Sequence, residues 1–458
     1  MKRLNNPWSN NWELNFDRNM RVTGNRWMYN LLYPHMNFFV KRFFRQFRYY
    51  GFEKIPKNEA VILAPNHQNA FLDAIVMTYG LGWKNQLSFL VRASIFKKPL
   101  AAKFLYSLNM LPVYRKDHDG MENMDKNDEV FDNCIYLLKN KRPLMLFPEA
   151  THTLRRRLLP LKKGVTRIAF SAEEQNDFAL GVKIYPIGIN YSTPRDFYGD
   201  LLMKVGEPIH VSEYLELYKE SPAKAHARIR TELEARMREL MIDIRTDEHY
   251  ELVEGWRQMD ANNKGIDDVE KEFDNAKQLI ARAEKFIGDH PEEVGEWHQK
   301  MAEYRHLLNR NKLSDKHFSP SAPRFNPVLS VLLTVLLSPF IVFGGIHNFF
   351  PFVAARYIVK KYIKDPGFQS SIKVAVAAFM FPVLHILCCL IYWMLSGSFG
   401  GALLYWFVIL FTGEVALWYY LKWEQFNLSR RTAAFIQTPD GKEAVSLRRD
   451  LSLVLDRF

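Results

Sequence analysis

The sequence AVILAPNHQNAFLD occupies residues 60–73 and combines a buried-strand pattern with a candidate catalytic pair. The apolar run at 60–64 is typical of a buried β-strand, so His67 and Asp73 follow directly after the end of a strand. Histidine is well suited to take a proton near neutral pH, and a nearby carboxylate can hold its tautomer and stabilise its charged form. We therefore predict that His67 is a general base and that Asp73 orients it.

The spacing of this pair constrains how the two side chains meet. Five residues separate His67 from Asp73, and residues six apart do not share one face of a regular helix. The pair is therefore predicted to meet across a junction between a loop and a helix. Asn66, Gln68 or Asn69 would then be able to cap that helix.

Apolar, strand-like runs alternate with helical patterns between residues 50 and 210. Strands are predicted at 60–64, 87–92, 143–147 and 182–189. Helices are predicted around 72–79, 99–107, 127–139 and 164–174, and a further helix over 212–245. This alternation predicts an α/β domain in which helices cover a sheet.

The C-terminal third of the chain is strongly apolar. Runs at 372–395 and 403–421 are long enough to span a bilayer, which needs about 20 apolar residues. The run at 328–350 is interrupted by Pro339 and by two glycines, so a re-entrant or broken segment is expected there. Because basic loops prefer the cytoplasmic side, we predict an integral protein of the cell membrane whose catalytic domain lies on the cytoplasmic face.

Five regions are expected from these patterns. Residues 1–50 contain a basic, aromatic amphipathic helix that would lie at the membrane interface, with Pro34 breaking the helix near its start. The catalytic domain spans 51–248 and a charged helical hairpin arm spans 249–318. The α-helical membrane region spans 319–425, and residues 426–458 form a C-terminal tail.

The net charge of +12 fits nucleic acid, an anionic membrane surface or phosphorylated substrates as partners. The basic residues lie beside aromatic and apolar segments and in no recognised nucleic-acid motif, so membrane lipids are expected as partners and nucleic acid is not. The three cysteines have neither disulfide-framework nor metal-ligand spacing. No metal site is therefore predicted.

Three more blocks follow the His…Asp block in order. They read NMLPVYR at 109–115, LMLFPEATH at 144–152 and KIYPIGI at 183–189. Together with the first block they resemble the glycerolipid acyltransferase family over about residues 50–210. The resemblance implies transfer of a fatty acyl group from a thioester, either acyl-CoA or acyl carrier protein, to a hydroxyl. It implies no bound cofactor, because the thioester is already activated.

The resemblance also implies an acceptor that carries a phosphate, which needs cations or backbone donors. Arg115 stands where the second block of the family ends in arginine. Glu149 follows Phe147 and Pro148 in the third block and would either bind the acceptor hydroxyl or anchor Arg115. Two positions depart from the family pattern, with Ala150 in place of glycine and histidine in place of arginine at 152. The candidate substrate-binding residues are Arg115, Glu149, His152, Arg155, Arg156, Lys162 and Lys163.

Several identities of acceptor and function stay open at this point. The leading interpretation is acylation of lysophosphatidate (1-acyl-glycerol-3-phosphate) in phospholipid biosynthesis. The rival is acylation of glycerol-3-phosphate. Some branches of the family that act on this acceptor resemble this chain in having the longer spacing between histidine and aspartate. A third alternative is a lipid-binding protein derived from the same fold without catalytic activity.

Overall fold

The computed structural model describes residues 27–83, 85–114, 126–319 and 327–458. The described residues divide into two compact units. The first unit extends as far as Met241 and also includes the short segment Asp365–Ser371. The second unit comprises Ile242–Lys364 and Ile372–Phe458.

A mixed sheet, with eight strands among the described residues, forms the centre of the first unit. In chain order the strands are β1 Phe44–Tyr50, β2 Val61–Pro65, β3 Ser88–Arg92, β4 Met110–Val113, β5 Leu144–Met145, β6 Lys183–Tyr191, β7 Gly199–Val205 and β8 Ile209–His210. They lie in the order β1-β7-β6-β2-β5-β3-β4, with β8 paired to β6. Neighbours run parallel except where β6 pairs with β7 and with β8.

Helices cover this sheet, which confirms the predicted α/β class. They are α1 Trp27–Phe43, α2 Ala70–Leu81, α3 Pro99–Ser107, α4 Lys126–Lys139, α5 Gly164–Glu174, α6 Leu215–Glu220 and α7 Pro222–Leu240, with 3₁₀ turns at Phe52–Lys54, Ala93–Phe96 and Val211–Tyr214. All five residues of β2 are buried, as expected for a parallel strand at the centre of a covered sheet. Ile62 of β2 packs in one core cluster with Val165 of α5 and Ile229 of α7.

The amphipathic helix predicted within residues 1–50 differs in the structure. Helix α1 ends at Phe43, and Pro34 lies inside it and does not break it. Residues 44–50 form β1, which pairs in parallel with β7. Arg45 on β1 forms a bidentate ion pair with Asp200 on β7, at 2.8 and 2.6 Å. A backbone ladder and a long-range ion pair therefore outweigh the local helical pattern.

The second unit is helical throughout its described residues. Its helices are α8 Tyr250–Asn263, α9 Val269–Asp289, α10 Val294–Arg310, α11 Pro327–Tyr362, α12 Pro366–Ser396 (from Ile372 onwards), α13 Phe399–Ile436 and α14 Pro439–Leu455, with a 3₁₀ turn at Asp315–Phe318. The predicted hairpin arm is three helices that pack with α14 around a core. Trp256 and Tyr304 are almost completely buried there.

The residues predicted as a C-terminal tail complete that bundle. Asp315 accepts hydrogen bonds from the Tyr304 hydroxyl at 2.6 Å and from Nε of Arg448 on α14 at 2.8 Å. The sequence of 249–318 is rich in charge and gives little indication of this apolar interior, because in an amphipathic helix only one stripe of residues faces the core. The arm and the tail are therefore parts of one folded bundle.

Among the residues described, α11, α12 and α13 are long and apolar enough to cross a membrane. Their large apolar side chains are widely exposed, for example Leu336, Phe379 and Leu404, which are 67%, 70% and 66% exposed. Exposed apolar surface of this extent is typical of a membrane protein. Helices α11 and α13 approach closely at Gly344, where an added Cβ would lie 2.1 Å from the Thr412 carbonyl oxygen.

Candidate active site

His67 and Asp73 meet as the sequence predicts. The chain leaves β2 at Pro65, His67 lies in the following loop, and Asp73 lies in the first turn of α2. Nδ1 of His67 lies 2.8 Å from Oδ2 of Asp73. Asn66 fixes the loop against β6, because its side chain donates to the Ile189 carbonyl at 3.1 Å and accepts from the Ile189 N–H at 2.6 Å.

The Asp73 carboxylate is fully buried, and both of its oxygens accept hydrogen bonds. Oδ2 also accepts the backbone N–H groups of Gln68 at 2.8 Å and Asn69 at 2.7 Å. Oδ1 accepts the hydroxyl of Tyr191 at 2.6 Å. As an acceptor for Nδ1 of His67, the carboxylate holds the proton of His67 on that nitrogen.

Tyr191 is a site residue that the sequence analysis missed. Burial and the neighbouring Asp73 raise the pKa of Tyr191 well above its ordinary value, so its hydroxyl stays protonated and donates to the carboxylate. Tyr191 is the last residue of β6, two positions after the fourth block ends. Because β2 and β6 are parallel, their carboxyl ends meet at one edge of the sheet, and a polar residue at that end of β6 was the available signal.

With Nδ1 bonded to Asp73, Nε2 of His67 is the nitrogen that can accept a proton. Among the described residues Nε2 makes no hydrogen bond, and the side chain is 14% exposed. The ring stacks on Phe147 with centroids 3.7 Å apart and an interplanar angle of 10°. The carboxylate and this stack together fix the orientation of the imidazole.

Glu149 has a different position from the one predicted for an acceptor-binding residue. It is 1% exposed, and its carboxylate accepts the backbone N–H of His67 at 2.7 Å and that of Leu159 at 2.8 Å. Each oxygen therefore accepts a hydrogen bond from the loop backbone, and these charge-assisted bonds stabilise the loop. Glu149 therefore positions the His67 loop, and its contact with the acceptor or with Arg115 stays a prediction.

The two departures from the family pattern, Ala150 and His152, lie two residues apart. Ala150 adopts φ +58°, the left-handed region in which glycine is unstrained and other residues are not. His152 follows it, and its ring centroid lies 5.4 Å from that of His67. Burial lowers the pKa of His152 below its ordinary value, and His67 lowers it further, whereas Asp365 opposes the shift.

A cavity of about 390 Å³ lies within the first unit beside these residues. Its cationic side chains are Arg92, at the end of β3, and Arg155, and Arg92 is a further residue that the sequence analysis missed. Arg92 was detectable as a charged residue that ends an apolar strand. The lining residues are Arg92, Thr151, His152, Thr153, Leu154, Arg155, Asp365 and Gly367.

The other predicted phosphate-binding residues have different positions. Arg156 is 5% exposed and donates to the carbonyl oxygens of Tyr191 at 2.7 Å and Ser192 at 2.6 Å, so it holds the end of β6 and the phosphate prediction is corrected. Lys162 and Lys163 are described and exposed, and the residues that line the cavity do not include them. Arg115 lies outside the described residues.

The described residues contain no group of three or more histidine, cysteine or acidic side chains placed to hold a metal ion. The chemistry of the arrangement is that of an oriented imidazole beside a cationic cavity. Such an imidazole can remove a proton from a hydroxyl, and the arginines can attract an anionic group on the same molecule.

Comparisons with known proteins identify the same region. Residues 46–190 match the family model described as Acyltransferase. Glycerol-3-phosphate O-acyltransferase 2 of Saccharomyces cerevisiae is 33% identical over 104 residues, which are 22% of this chain and 14% of that protein. Glycerol-3-phosphate O-acyltransferase 1 of the same yeast is 33% identical over 103 residues, which are 21% of this chain and 13% of that protein.

One solved structure is also similar, with a low TM-score. The 1-acyl-sn-glycerophosphate acyltransferase PlsC of Thermotoga maritima is 24% identical, with a TM-score of 0.30, over 45% of this chain and 82% of that one. The curated yeast relatives are matched over only about one seventh of their length. The residues matched by the family model include His67, Asp73, Glu149 and His152. On these findings, residues 46–190 form an acyltransferase domain that is similar to part of the yeast glycerol-3-phosphate O-acyltransferases.

Proposed function

We propose that this protein is a membrane-bound acyltransferase of phospholipid biosynthesis that transfers a fatty acyl group from a thioester to a hydroxyl of glycerol-3-phosphate. The observation that carries the proposal is the oriented pair of His67 and Asp73, 2.8 Å apart and beside a cavity that contains two arginines. A poor nucleophile such as a hydroxyl needs a base at the moment of attack, and this pair supplies one.

The proposed reaction has one bond formed and one broken. The acceptor hydroxyl attacks the thioester carbonyl carbon while Nε2 of His67 takes the hydroxyl proton. An ester C–O bond forms, the C–S bond breaks, and the departing thiolate takes the proton from the imidazolium. Asp73 stabilises the imidazolium through its bond to Nδ1, and the bond from Tyr191 keeps Asp73 in place.

The acceptor is proposed from its phosphate and from the relatives. Arg92 and Arg155 suit a phosphate, since guanidinium groups bind phosphate oxygens bidentately. Lysophosphatidate is the leading acceptor in the sequence analysis, but the longer His…Asp spacing keeps glycerol-3-phosphate open. The two curated yeast relatives are named as glycerol-3-phosphate acyltransferases, so glycerol-3-phosphate is the acceptor proposed here. The donor is acyl-CoA or acyl carrier protein, and either thioester supplies the activated acyl group.

The contacts of α11 support the re-entrant topology. In a straight helix Thr334 and Arg356 would lie about 33 Å apart. Both nevertheless contact neighbouring residues of α13: Thr334 Oγ1 lies 3.3 Å from the hydroxyl of Tyr419, and Arg356 donates to that of Tyr420 at 3.2 Å. A bend near Gly344 would bring both arms of α11 to that part of α13.

The packing of the helical bundle supports the same topology. Helices α10 and α14 pack together, and Lys300 on α10 lies 3.4 Å from Asp450 on α14. These two helices precede and follow the membrane helices, so the chain between them must cross an even number of times. We infer that α12 and α13 cross and that α11 returns to the side from which it entered. The basic segment 356–364 then lies on that side. Because basic segments near membrane helices prefer the cytoplasm, we infer that this side is cytoplasmic.

Labelling of single cysteines would test this topology. In a variant with Cys388 and Cys389 replaced by serine, we expect Lys360→Cys and Lys442→Cys to react from the cytoplasmic face. Gly400→Cys, at the start of α13, is expected to react from the opposite face. Labelling of positions 360 and 442 from opposite faces would overturn the proposed topology.

Product identification tests the acceptor. Purified full-length protein in detergent would be given labelled palmitoyl-CoA with glycerol-3-phosphate or lysophosphatidate, and the lipid products would be separated by chromatography. We expect lysophosphatidate as the first product from glycerol-3-phosphate. Conversion of lysophosphatidate to phosphatidate with no reaction of glycerol-3-phosphate would overturn the proposed acceptor and support the other acylation step.

A further inference from the structure

Seven residues from the membrane region of the sequence belong to the acyltransferase unit. The segment Asp365–Ser371 connects α11 to the first turns of α12 and packs within the first unit. Ser370 and Ser371 are at most 1% exposed. The family match ends at residue 190, so this segment lies outside it.

Ser371 supports the helix that carries Asp73. Its hydroxyl oxygen accepts the N–H of Leu72 in the first turn of α2 at 2.9 Å, and the hydroxyl donates to the carbonyl of Asn69 at 3.2 Å. Asn69, the N-cap residue of α2, makes no side-chain capping bond. Amides in the first turn of a helix need an acceptor from outside the helix. The Leu72 N–H also bonds to the Asn69 carbonyl at 2.8 Å, and Ser371 supplies a second acceptor from a distant part of the sequence.

The beginning of the segment surrounds His152. Oδ2 of Asp365 lies 3.5 Å from Nε2 of His152, and the ring of Phe368 meets the imidazole edge-on at 5.2 Å. A Cβ added to Gly367 would lie 2.3 Å from Nε2 of His152. Asp365 and Gly367 also line the cavity that contains Arg92 and Arg155. The segment therefore contacts both His152 and the cavity.

Resting on the proposed function, we propose that Asp365–Ser371 forms one wall of the acceptor cavity and that Asp365 is a positioning residue. Its carboxylate acts through His152 and thereby determines how tightly the acceptor phosphate is held. His152 stands where the family has a permanently charged arginine, so its charge depends on its neighbours. The segment supplies the carboxylate that favours the charged form.

The sign of the pH dependence follows from the groups that face His152. Protonated His152 attracts the acceptor phosphate, so the KM of the acceptor should rise as the pH increases through the pKa of His152. Asp365 raises that pKa, against the effects of burial and of His67. Loss of the carboxylate should therefore move the rise in KM to lower pH. The charged or titratable groups around the ring are His67, Asp73, Asp365 and, in the same cavity, Arg92 and Arg155.

Asp365→Asn, which keeps the shape of the side chain, tests the proposal in the full-length protein. KM and kcat for glycerol-3-phosphate would be measured from pH 5 to 8. We expect the rise in KM to move to lower pH, with a KM about fivefold above wild type near pH 6 and with kcat changed less than about twofold. The acceptor phosphate itself titrates near pH 6 in both proteins. The difference between the two curves therefore reports the pH dependence that comes from the protein and not from the phosphate.

Asp177→Asn is the matched control, because Asp177 is an exposed carboxylate outside the cavity lining. It should leave the curve unchanged. A curve for Asp365→Asn that coincides with wild type would overturn the proposal. An equal fall of KM at every pH would also overturn it, since that result indicates only the loss of repulsion between a carboxylate and the phosphate.

Gly367→Ala tests whether the segment Asp365–Ser371 forms a wall of the cavity, because it adds volume without changing any charge. The added methyl group must displace His152, so we expect the KM of the acceptor to rise by about fivefold or more with little change in the thermal midpoint. Gly288→Ala in α9 is the control, because an added Cβ there meets no atom within 4 Å. Equal kinetics of the two variants would show that the segment does not shape the cavity.

Failure of the proposed function can be separated from failure of this proposal. If wild type acylates neither acceptor, the proposed function fails. Binding of inorganic phosphate, measured by titration calorimetry over the same pH range, then tests the wall alone. A pH-dependent affinity that shifts to lower pH in Asp365→Asn would support it. Absence of phosphate binding, or equal binding by both proteins, would overturn it.

Discussion

Replacement of Asp73 by asparagine tests the catalytic geometry most sharply, because it removes a charge and little else. The asparagine carbonyl can accept the three bonds now made to Oδ2, and its amide can donate to the Tyr191 oxygen. The Nδ1 tautomer of His67 is therefore preserved. What is lost is the negative charge that stabilises the imidazolium during proton transfer.

The size of the loss follows from the distance. At 2.8 Å between Nδ1 of His67 and Oδ2 of Asp73, attraction between unit charges at an effective dielectric constant of about 20 is about 6 kcal/mol. That energy corresponds to about 10⁴ in rate. A general base contributes roughly 10²–10⁴ in total. We therefore expect kcat of Asp73→Asn to fall by about 10²–10⁴ and to approach that of His67→Ala within about tenfold.

The assay is transfer from labelled palmitoyl-CoA to glycerol-3-phosphate by purified full-length protein, with the thermal midpoint measured in parallel to confirm folding. Tyr191→Phe is the matched comparison, since it removes one neutral donor and keeps the charge. It should lose about tenfold, the equivalent of one hydrogen bond to a charged group. If folded Asp73→Asn retained more than a tenth of wild-type kcat, electrostatic stabilisation by Asp73 would be refuted.

Three further changes test the supporting structure. Glu149→Gln keeps one acceptor oxygen for two backbone N–H groups, those of His67 and Leu159. We therefore expect the unfolding free energy to fall by about 1–3 kcal/mol and kcat to fall, with the acceptor KM unchanged. A raised acceptor KM with unchanged kcat would instead indicate direct acceptor binding by Glu149. Ala150→Gly should raise the unfolding free energy by about 1 kcal/mol, because relief of left-handed strain exceeds the entropic cost of glycine, and a lower thermal midpoint would contradict this. Trp256→Ala should cost about 3–5 kcal/mol in unfolding of the helical bundle, measured by denaturant titration, and a change below 1 kcal/mol would contradict a packed core there.

Strong local patterns gave the central part of the fold. The apolar run at 60–64 and the run at 182–189 correspond to β2 and β6, and the helices at 99–107 and 164–174 have the observed bounds. These elements have continuous apolar or helical periodicity that depends little on the rest of the chain. Residues 44–50 were assigned to a helix because their pairing with β7, more than 150 residues later, leaves no local signal.

The same distinction applies to the candidate site. The spacing of His67 and Asp73 indicated a contact across a loop-to-helix junction, and the two residues meet there. Residue type alone could not distinguish Arg155, which lines the cavity, from Arg156, which is buried against β6. Tyr191 and Asp365 reach the site through strand order and through a return of the chain from the apolar region. Such long-range contacts are not encoded in spacing.

The central claim is that His67 removes the hydroxyl proton of a glycerol phosphate acceptor during acyl transfer. The most direct measurement is the rate of that transfer from labelled palmitoyl-CoA to glycerol-3-phosphate by wild type and by His67→Ala, each shown to be folded and each saturated with both substrates. We expect the turnover of His67→Ala to be lower by about 10²–10⁴ with little change in the acceptor KM. Equal turnover by the two proteins, or no transfer by wild type to either acceptor with acyl-CoA or acyl carrier protein, would contradict the claim, and the latter result would favour a lipid-binding role.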